Sequence, residues 1–232
     1  MPEHIDPVKT YGAVFASLLV LTLGHSTRPM EDFIHLLQTY SVKRVIDVRT
    51  VPRSGHNPQF NRETLPADLR SAGIGYTHLP GLGGLRHPRV DSLNMGWRNS
   101  SFRGYADYMQ TEEFETNLNE MIQLAREEQV LLMCAEALPW RCHRSLIADA
   151  LLIRGIRVEH ILSQTHRQTH TLTSWAKVDG KRITYPPEEK NVEQNAKSRQ
   201  TKQRTTIPEH GRSNHRGDAE KRDCQSPGGR VP

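Results

Sequence analysis

Cysteine is scarce in this chain: only Cys134, Cys142 and Cys224 carry thiols among its 232 residues. Such a small, odd number does not suit a disulfide framework, so we expect reduced thiols and a cytoplasmic location. Long hydrophobic runs are also lacking. The apolar stretch at 14–23 is shorter than the ~20 residues of a membrane-spanning helix, and it lacks the basic start and the cleavage pattern of a signal peptide. These shortages argue against a secreted scaffold and against membrane association.

Apolar residues are few overall, at 35% of the chain, and the deficit is local. Regular apolar runs occur within residues 1–163, whereas 188–232 contain almost none. The first region is nearly neutral, with 17 Lys and Arg against 18 Asp and Glu, whereas 188–232 carry 10 Lys and Arg against 7 Asp and Glu. We therefore predict an N-terminal extension at 1–13, one folded domain at 14–187, and a polar, basic, disordered tail at 188–232.

The hydrophobic pattern alternates between strands and helices. Strands are predicted at 18–23, 44–48, 74–79, 130–133 and 157–162, with a further short strand at 182–185. Helices are predicted at 29–40, 64–72, 102–126, where Thr111 resembles a cap, and 143–154. This alternation is typical of a single three-layer α/β domain, in which helices cover both faces of a mostly parallel sheet of about five strands. Reactive groups of such sheets gather at the carboxyl ends of the strands.

The segment from Met133 to Ser145 carries the most chemistry. A buried strand ends at Cys134, and the helix that follows opens with Cys142, His143 and Arg144. Helix N-termini and neighbouring cations lower the pKa of a thiol, so a thiol here is expected to be partly thiolate. We assign Cys134 as the nucleophile, His143 or His25 as the base, and Glu136 as a residue that orients a partner.

Other polar residues are expected to converge on this loop. The free amides of the helix start and its arginines predict an anion site. Its members are Ser26, Arg49, Arg141 and Arg144. Substrate contacts are predicted from the polar strand ends and from two loops, the second of which resembles a lid. These residues are Asp47, Asn57, Phe60, Asn61, His78, Trp97, Arg98 and Tyr105.

Two family resemblances become visible in these motifs. The weaker is to rhodanese-like and cysteine-phosphatase domains, through Asp47-Val48-Arg49 and through Cys134 followed by Arg144-Ser145. In the stronger, over about 18–187, the chain resembles the widespread bacterial family known as domain of unknown function 488. That resemblance rests on Gly24-His25-Ser26, Asp47-Val48-Arg49, Asn57-Pro58-Gln59-Phe60-Asn61, Tyr76-Thr77-His78-Leu79-Pro80, Leu82-Gly83-Gly84, Gly96-Trp97-Arg98-Asn99, Phe102-Arg103-Gly104-Tyr105-Ala106, Met133-Cys134-Ala135-Glu136, Pro139-Trp140-Arg141-Cys142-His143-Arg144 and Ile183-Thr184-Tyr185-Pro186. The resemblance implies an enzyme-like site but no settled reaction.

Three functions remain open at this point. The first is a cysteine-dependent transferase or hydrolase that acts on a small anionic or nucleotide-like ligand. The second is a metal or redox site, in which Cys134, Cys142 and His143 supply nitrogen and sulfur ligands suited to zinc or iron. The third is a nucleic-acid-associated module that uses the basic tail and the arginine-rich loop at 49–62. The sequence leaves the oligomeric state open.

Overall fold

The structure, a computed structural model, describes residues 18–187. Its strands are β1 (Leu19–Gly24), β2 (Arg44–Asp47), β3 (Gly75–His78), β4 (Val130–Cys134), β5 (Arg157–Ile161), β6 (Arg167–Thr169), β7 (Lys177–Asp179) and β8 (Arg182–Thr184). Its helices are α1 (Met30–Thr39), α2 (Leu65–Ser71), α3 (Ser100–Tyr108), α4 (Glu112–Glu127) and α5 (Arg144–Leu152). The predicted extension at 1–13 and the predicted tail at 188–232 lie outside the described residues.

A six-stranded sheet organises the fold. Five strands are parallel, in the order β3-β2-β4-β1-β5, and β6 adds an antiparallel edge to β5. The mixed α/β prediction with a mostly parallel sheet is therefore confirmed. The sixth strand was not predicted, because its residues Arg167, Gln168 and Thr169 are polar and exposed and give no hydrophobic signal. The strand predicted near 182–185 instead pairs with β7 in a separate hairpin.

Helices cover both faces of the sheet, because alternate strand residues point to opposite sides. On one face, Leu21 and Leu23 belong to a core with side chains of α1 and α2. On the other face, Val20 and Leu132 belong to a core with side chains of α3, α4 and α5. The predicted three-layer arrangement is confirmed.

The helix predicted over 102–126 is two helices. Asn99 caps α3 by accepting from the backbone amide of Ser101, and Thr111 caps α4 by accepting from the backbone amide of Phe114. Thr111 itself is extended, with φ −94° and ψ 153°. A cap residue has non-helical backbone angles, so the helical pattern has to break before Glu112.

The parallel register brings the chemistry-bearing strand ends to one edge of the sheet. Gly24 pairs with Cys134, and Asp47 pairs with Met133 on one side and with His78 on the other. The segments that follow β1, β2 and β4 therefore leave the sheet side by side. Across residues 18–187, no helix has the length and apolar character that a membrane crossing requires.

Candidate functional site

The loop between β4 and α5 brings two cysteines together. Cys134 ends β4, the chain makes a short 3₁₀ turn at Pro139–Arg141, and Cys142 stands two residues before α5 begins. The two sulfur atoms are 2.7 Å apart, and both thiols are free. The residues are only 2% and 5% exposed, respectively. The site is therefore a thiol pair and not two separate cysteines.

The contacts of Cys142 favour its thiolate form. Its burial alone would raise the thiol pKa, but the hydrogen bond from Cys134, the neighbouring His143 and the Arg144 guanidinium hold that pKa well below the ordinary value. The backbone amide of Arg144 approaches the Cys142 sulfur at 3.5 Å, and Nδ1 of His143 lies 3.6 Å from it. A sulfur at a helix N-terminus beside cations is the environment that favours thiolate.

The contacts of Cys134 disfavour its thiolate form. Burial and the hydrogen bond that it donates to Cys142 raise its thiol pKa well above the ordinary value, and this outweighs the lowering effect of Arg144. These contacts favour Cys142 over Cys134 as the thiolate, whereas the assignment of Cys134 as the nucleophile stays a prediction. The sequence places both cysteines near the helix start, but only Cys142 is within reach of the first helical amide and of His143.

Arg144 is buried beneath the two sulfur atoms and does not face solvent. It is only 1% exposed. Its guanidinium donates to Cys134 Sγ at 2.9 Å, to Thr22 Oγ1 at 3.1 Å and to the carbonyl of Glu136 at 2.6 Å. With these donors engaged inside the protein, Arg144 acts as the buried counter-charge of the thiol pair. The predicted role of Arg144 in binding an external anion has no geometric support.

A buried chain of hydrogen bonds continues from Arg144 to Asp149. Thr22 Oγ1 lies 2.8 Å from His160 Nδ1, His160 Nε2 lies 3.1 Å from His170 Nδ1, and His170 Nε2 lies 2.9 Å from Asp149 Oδ1. When each group donates its hydrogen to the next group on the way to Asp149, every donor in this chain has an acceptor. Burial, followed by repulsion from His170, lowers the His160 pKa to about 3, so its ring is neutral. The chain therefore fixes Arg144 from behind.

Arg49 is held at the end of β2 by a second set of contacts. Asp47 receives two guanidinium bonds, from Nε at 2.9 Å and from Nη2 at 2.6 Å. His78 donates to the Arg49 carbonyl at 2.8 Å, and Tyr76 donates to Asp47 at 2.9 Å. Asp47 and His78, predicted to touch substrate, instead position Arg49.

His25 is a neutral side chain that packs between Arg49 and Phe60, and it is not available as a base. Its Nδ1 donates to the Ser26 carbonyl at 2.8 Å, so Nε2 accepts from Arg49 Nη1 at 3.2 Å. The ring stacks on Phe60, with centroids 4.1 Å apart. Burial, with a further contribution from Arg49, lowers its pKa to about 4. Because its one lone pair already faces a cation, His143 fits the predicted base role better than His25.

A cleft of about 330 Å³ opens above the thiol pair. It is lined by His25, Arg49, Thr50, Val51, Arg53, Ser54, Gly84, Leu85, Ser101, Phe102, Cys134, Ala135, Glu136, Arg141, Cys142 and His143. Arg53 and Arg141 are exposed, and their guanidinium groups have no hydrogen-bond or ion-pair partner within 18–187. Val51 and Leu85 add exposed apolar surface at the rim. The cleft thus offers cations and an apolar edge above a thiolate.

The structure divides the predicted site residues into two groups. Seven of them line the cleft together: Cys134, Cys142, His143, His25, Glu136, Arg49 and Arg141. The remaining predicted residues are absent from its lining: Ser26, Asp47, Asn57, Phe60, Asn61, His78, Trp97, Arg98, Tyr105 and Arg144.

Some residues outside the cleft support it from behind. Tyr105 is buried, donates to the Leu82 carbonyl and packs against His143. Asn61 accepts from the Ser54 amide at 2.6 Å and so shapes the loop that carries Arg53. Glu136 contributes its carbonyl to Arg144, whereas its exposed carboxylate accepts only from the Leu138 amide, at 3.5 Å. The predicted orienting role therefore belongs to the main chain of Glu136.

Other predicted residues lie elsewhere. Trp97 packs against Phe102, Trp175 and Tyr185, and Arg98 is exposed outside the cleft. Ser26 adopts a left-handed backbone with φ 52° and hydrogen bonds to Ala135 through its amide. Of the loop that was predicted to resemble a lid, Gly84, Leu85 and Ser101 line the cleft, whereas Trp97 and Arg98 do not.

The residues that sequence reasoning left out of the site are mainly small or apolar. No ionisable group marks several of these lining residues in the sequence, namely Thr50, Val51, Leu85 and Phe102. Gly84 is informative in retrospect, because a Cβ built there would lie 2.5 Å from His143 Nδ1. A glycine is needed where another residue approaches this closely.

The metal alternative gains no support from this geometry. Residues 18–187 contain no group of three or more His, Cys, Asp or Glu side chains arranged to hold a metal ion. Two thiolates bound to one tetrahedral zinc lie about 3.8 Å apart, given Zn–S bonds of about 2.3 Å. The Cys134 and Cys142 sulfurs are closer than that.

The fold and the site define an α/β domain with a buried thiol pair at the carboxyl edge of its sheet. The chain belongs to the family described as Domain of unknown function DUF488, which matches residues 29–151. That range includes the whole loop from Cys134 to Arg144, but it is narrower than the stretch of 18–187 over which the motifs resemble the family. The rhodanese-like resemblance is not confirmed. Comparison with curated proteins and with solved structures gives no match.

Proposed function

We propose that this protein is a thiol-dependent enzyme that transfers or hydrolyses a group on a small anionic ligand, with Cys142 as the nucleophile. The observation that carries the proposal is the position of the Cys142 sulfur, between the first amide of α5 and His143. It lies at the floor of a cleft whose wall includes Arg53 and Arg141, which have no side-chain partner within 18–187. A thiolate in such a position is an activated nucleophile.

The roles of the surrounding residues follow from their contacts. Arg53 and Arg141 bind the negative charge of the ligand, and Arg49 adds charge from the cleft wall. His143 donates through Nε2 to the Val48 carbonyl at 3.0 Å, so that Nδ1 faces the sulfur. His143 is thus placed to give a proton to a leaving group or to take one from attacking water. Val51 and Leu85 accommodate an apolar or planar part of the ligand.

A competition between two alkylating probes tests the proposal without knowledge of the substrate. Iodoacetate is an anion and iodoacetamide is its neutral analogue. We expect Cys142 to react faster with iodoacetate, relative to iodoacetamide, than a free thiol does. The double substitution Arg53→Ala, Arg141→Ala should reduce this preference about fivefold, because it removes two cations near the sulfur.

Arg98→Ala is the matched control, because Arg98 is also an exposed arginine but lies outside the cleft. It should leave the preference unchanged. A thermal shift of the full chain with inorganic phosphate and nucleoside monophosphates then tests the ligand class. If the double variant keeps the anion preference and no anion stabilises the protein, the proposal fails.

The cellular setting is part of the same proposal. Free thiols such as those of Cys134 and Cys142 suit a reducing compartment, so we place the protein in the cytoplasm of a bacterium. The nucleic-acid alternative stays a prediction: the basic tail lies outside the described residues, and the loop at 49–62, its other basis, contributes Arg49 and Arg53 to the cleft.

A further inference from the structure

We infer that Cys134 and Cys142 form a reversible disulfide when a hydroperoxide enters the cleft, and that this reaction switches the site off. The inference deepens the proposed function, because it concerns regulation of the same thiolate. Its first support is distance: the sulfurs are 2.7 Å apart. They need to approach by only about 0.7 Å to reach the S–S bond length of a disulfide.

The two sulfurs differ in their contacts in a way that orders the reaction. Cys142 and Cys134 both line the cleft, but the first helical amide and His143 contact only Cys142. Cys142 is therefore the sulfur that attacks a small oxidant, and Cys134 is the sulfur that resolves the product. A low-pKa thiol next to a resolving cysteine is the usual arrangement of a redox-sensitive site.

The reaction balances in two steps. The Cys142 thiolate attacks one oxygen of ROOH, so that an S–O bond forms, the O–O bond breaks, and the alkoxide or hydroxide leaves and takes a proton from water. Cys142 is then a sulfenic acid. The Cys134 sulfur attacks the Cys142 sulfur, so that an S–S bond forms, the S–O bond breaks, and hydroxide leaves as water with the Cys134 proton. The two thiols are oxidised by two electrons and the peroxide is reduced.

Arg144 favours the return to the dithiol form. Its Nε donates to Cys134 Sγ, and its guanidinium has no carboxylate partner within 18–187. Oxidation removes the thiolate that balances this buried cation, and an unbalanced buried charge is costly. Stabilisation of the reduced form makes a disulfide more easily reduced. The bond is therefore a switch and not a structural crosslink.

The test uses the full chain with Cys224→Ser, so that the third cysteine of the sequence cannot contribute. Treatment with hydrogen peroxide should remove both remaining thiols and lower the intact mass by two hydrogens. Peptide mapping should show Cys134 joined to Cys142, and dithiothreitol should restore both thiols. The oxidised protein should also lose its alkylation by iodoacetate.

Single substitutions in the same background separate the two roles. Cys134→Ser should stop the reaction at a Cys142 sulfenic acid, which dimedone traps. Cys142→Ser should leave Cys134 reduced under the same treatment. The inference is overturned if both thiols survive peroxide, if oxidation adds oxygen to the unsubstituted pair without a crosslink, or if the disulfide joins two chains.

The experiment is independent of the anion-binding proposal. It needs no ligand, and Arg53→Ala with Arg141→Ala should leave disulfide formation intact. Loss of the anion preference with normal disulfide formation would therefore count against the proposed function alone. Absence of the disulfide with a normal anion preference would count against the switch alone.

Discussion

Two clusters of chemistry-bearing side chains meet at Arg144, and they differ in how their polar groups are satisfied. Toward the cleft, Arg53 and Arg141 are exposed without partners within the described residues. Toward the interior, His160, His170 and Asp149 form a continuous hydrogen-bonded chain. The second cluster resembles a catalytic relay when only residue types are considered, yet its groups already bind one another.

The difference indicates which cluster is built for a ligand. Buried polar groups that satisfy each other gain stability and orientation, whereas unpartnered cations in a cleft are available to something from outside. We therefore interpret the chain from Thr22 to Asp149 as the support that holds Arg144 under the sulfurs. The cleft side is the reactive side.

The largest expected effect comes from breaking the interior cluster at Asp149. This buried carboxylate accepts from His170 at 2.9 Å, from Thr173 Oγ1 at 2.7 Å and from Tyr185 Oη at 2.8 Å. Asp149→Ala strands all three donors, and each buried donor left without a partner costs about 1–3 kcal/mol, so the free energy of unfolding should fall by several kcal/mol. Urea denaturation measures the change.

Asp91→Ala is the matched control for this loss. The Asp91 carboxylate accepts from Arg89 at 2.9 Å, but both side chains are largely exposed. Exposed pairs contribute little, so no measurable destabilisation is expected. Equal stability of the Asp149→Ala variant and the parent protein would contradict the supporting role of the interior cluster.

A smaller and more local effect is expected from Gly84→Ala on the cleft side. The added Cβ would meet His143 Nδ1 and so displace the ring from Cys142. Because His143 is one of the groups that lower the Cys142 thiol pKa, loss of this contact should reduce the thiolate fraction and slow alkylation. The rate of iodoacetamide alkylation measures this, with the unfolding free energy recorded in parallel.

Gly55→Ala controls for the replacement of a loop glycine, because a Cβ at Gly55 would meet nothing within 4 Å. Its alkylation rate should match that of the parent protein. If Gly84→Ala also leaves the rate unchanged, His143 does not support the thiolate, and the role assigned to it is wrong.

Stability should also depend on pH, and both clusters share this dependence. Burial lowers the pKa of His25 to about 4 and that of His160 to about 3, from an ordinary value of 6.5. Below pH 6.5 the unfolded chain binds protons that the folded protein does not, so stability is lost as the pH falls toward these folded values. Each histidine should contribute about 1.4 kcal/mol per pH unit within its window.

Denaturation at several pH values checks this slope, and two substitutions assign it. His160→Gln should make the slope shallower, because one of the two groups is removed. His35→Gln, at an exposed histidine, should leave it unchanged. A flat profile between about pH 6 and about pH 4 would contradict the assignment of neutral, buried rings.

The fold was largely predictable because its core follows strong periodic signals. The five parallel strands and the faces of α1 and α5 were anticipated from apolar spacing within one or two residues. The break between α3 and α4 was anticipated only through the resemblance of Thr111 to a cap, because the helical pattern on either side is otherwise continuous. Strand β6 was missed since its polar, exposed residues are held only by backbone pairing with β5.

The site was predictable in its location but not in its division of roles. Parallel strands end at one edge, so Cys134, His25 and Arg49 had to approach each other. Which thiol ionises depends on contacts of a few ångströms with a helix amide, and spacing does not show these. For the same reason Arg144 could not be recognised as a buried counter-charge, since its type is the same as that of the exposed Arg141.

The pKa of the Cys142 thiol tests the central claim most directly. Its measurement is the pH dependence of alkylation in the Cys224→Ser background, with peptide mapping to identify the labelled sulfur. We predict a Cys142 titration midpoint well below the ordinary value of 9.0, retained in Cys134→Ser because a hydroxyl can still donate to the sulfur. Label that appears first on Cys134, or a Cys142 midpoint at or above that value, would contradict the account.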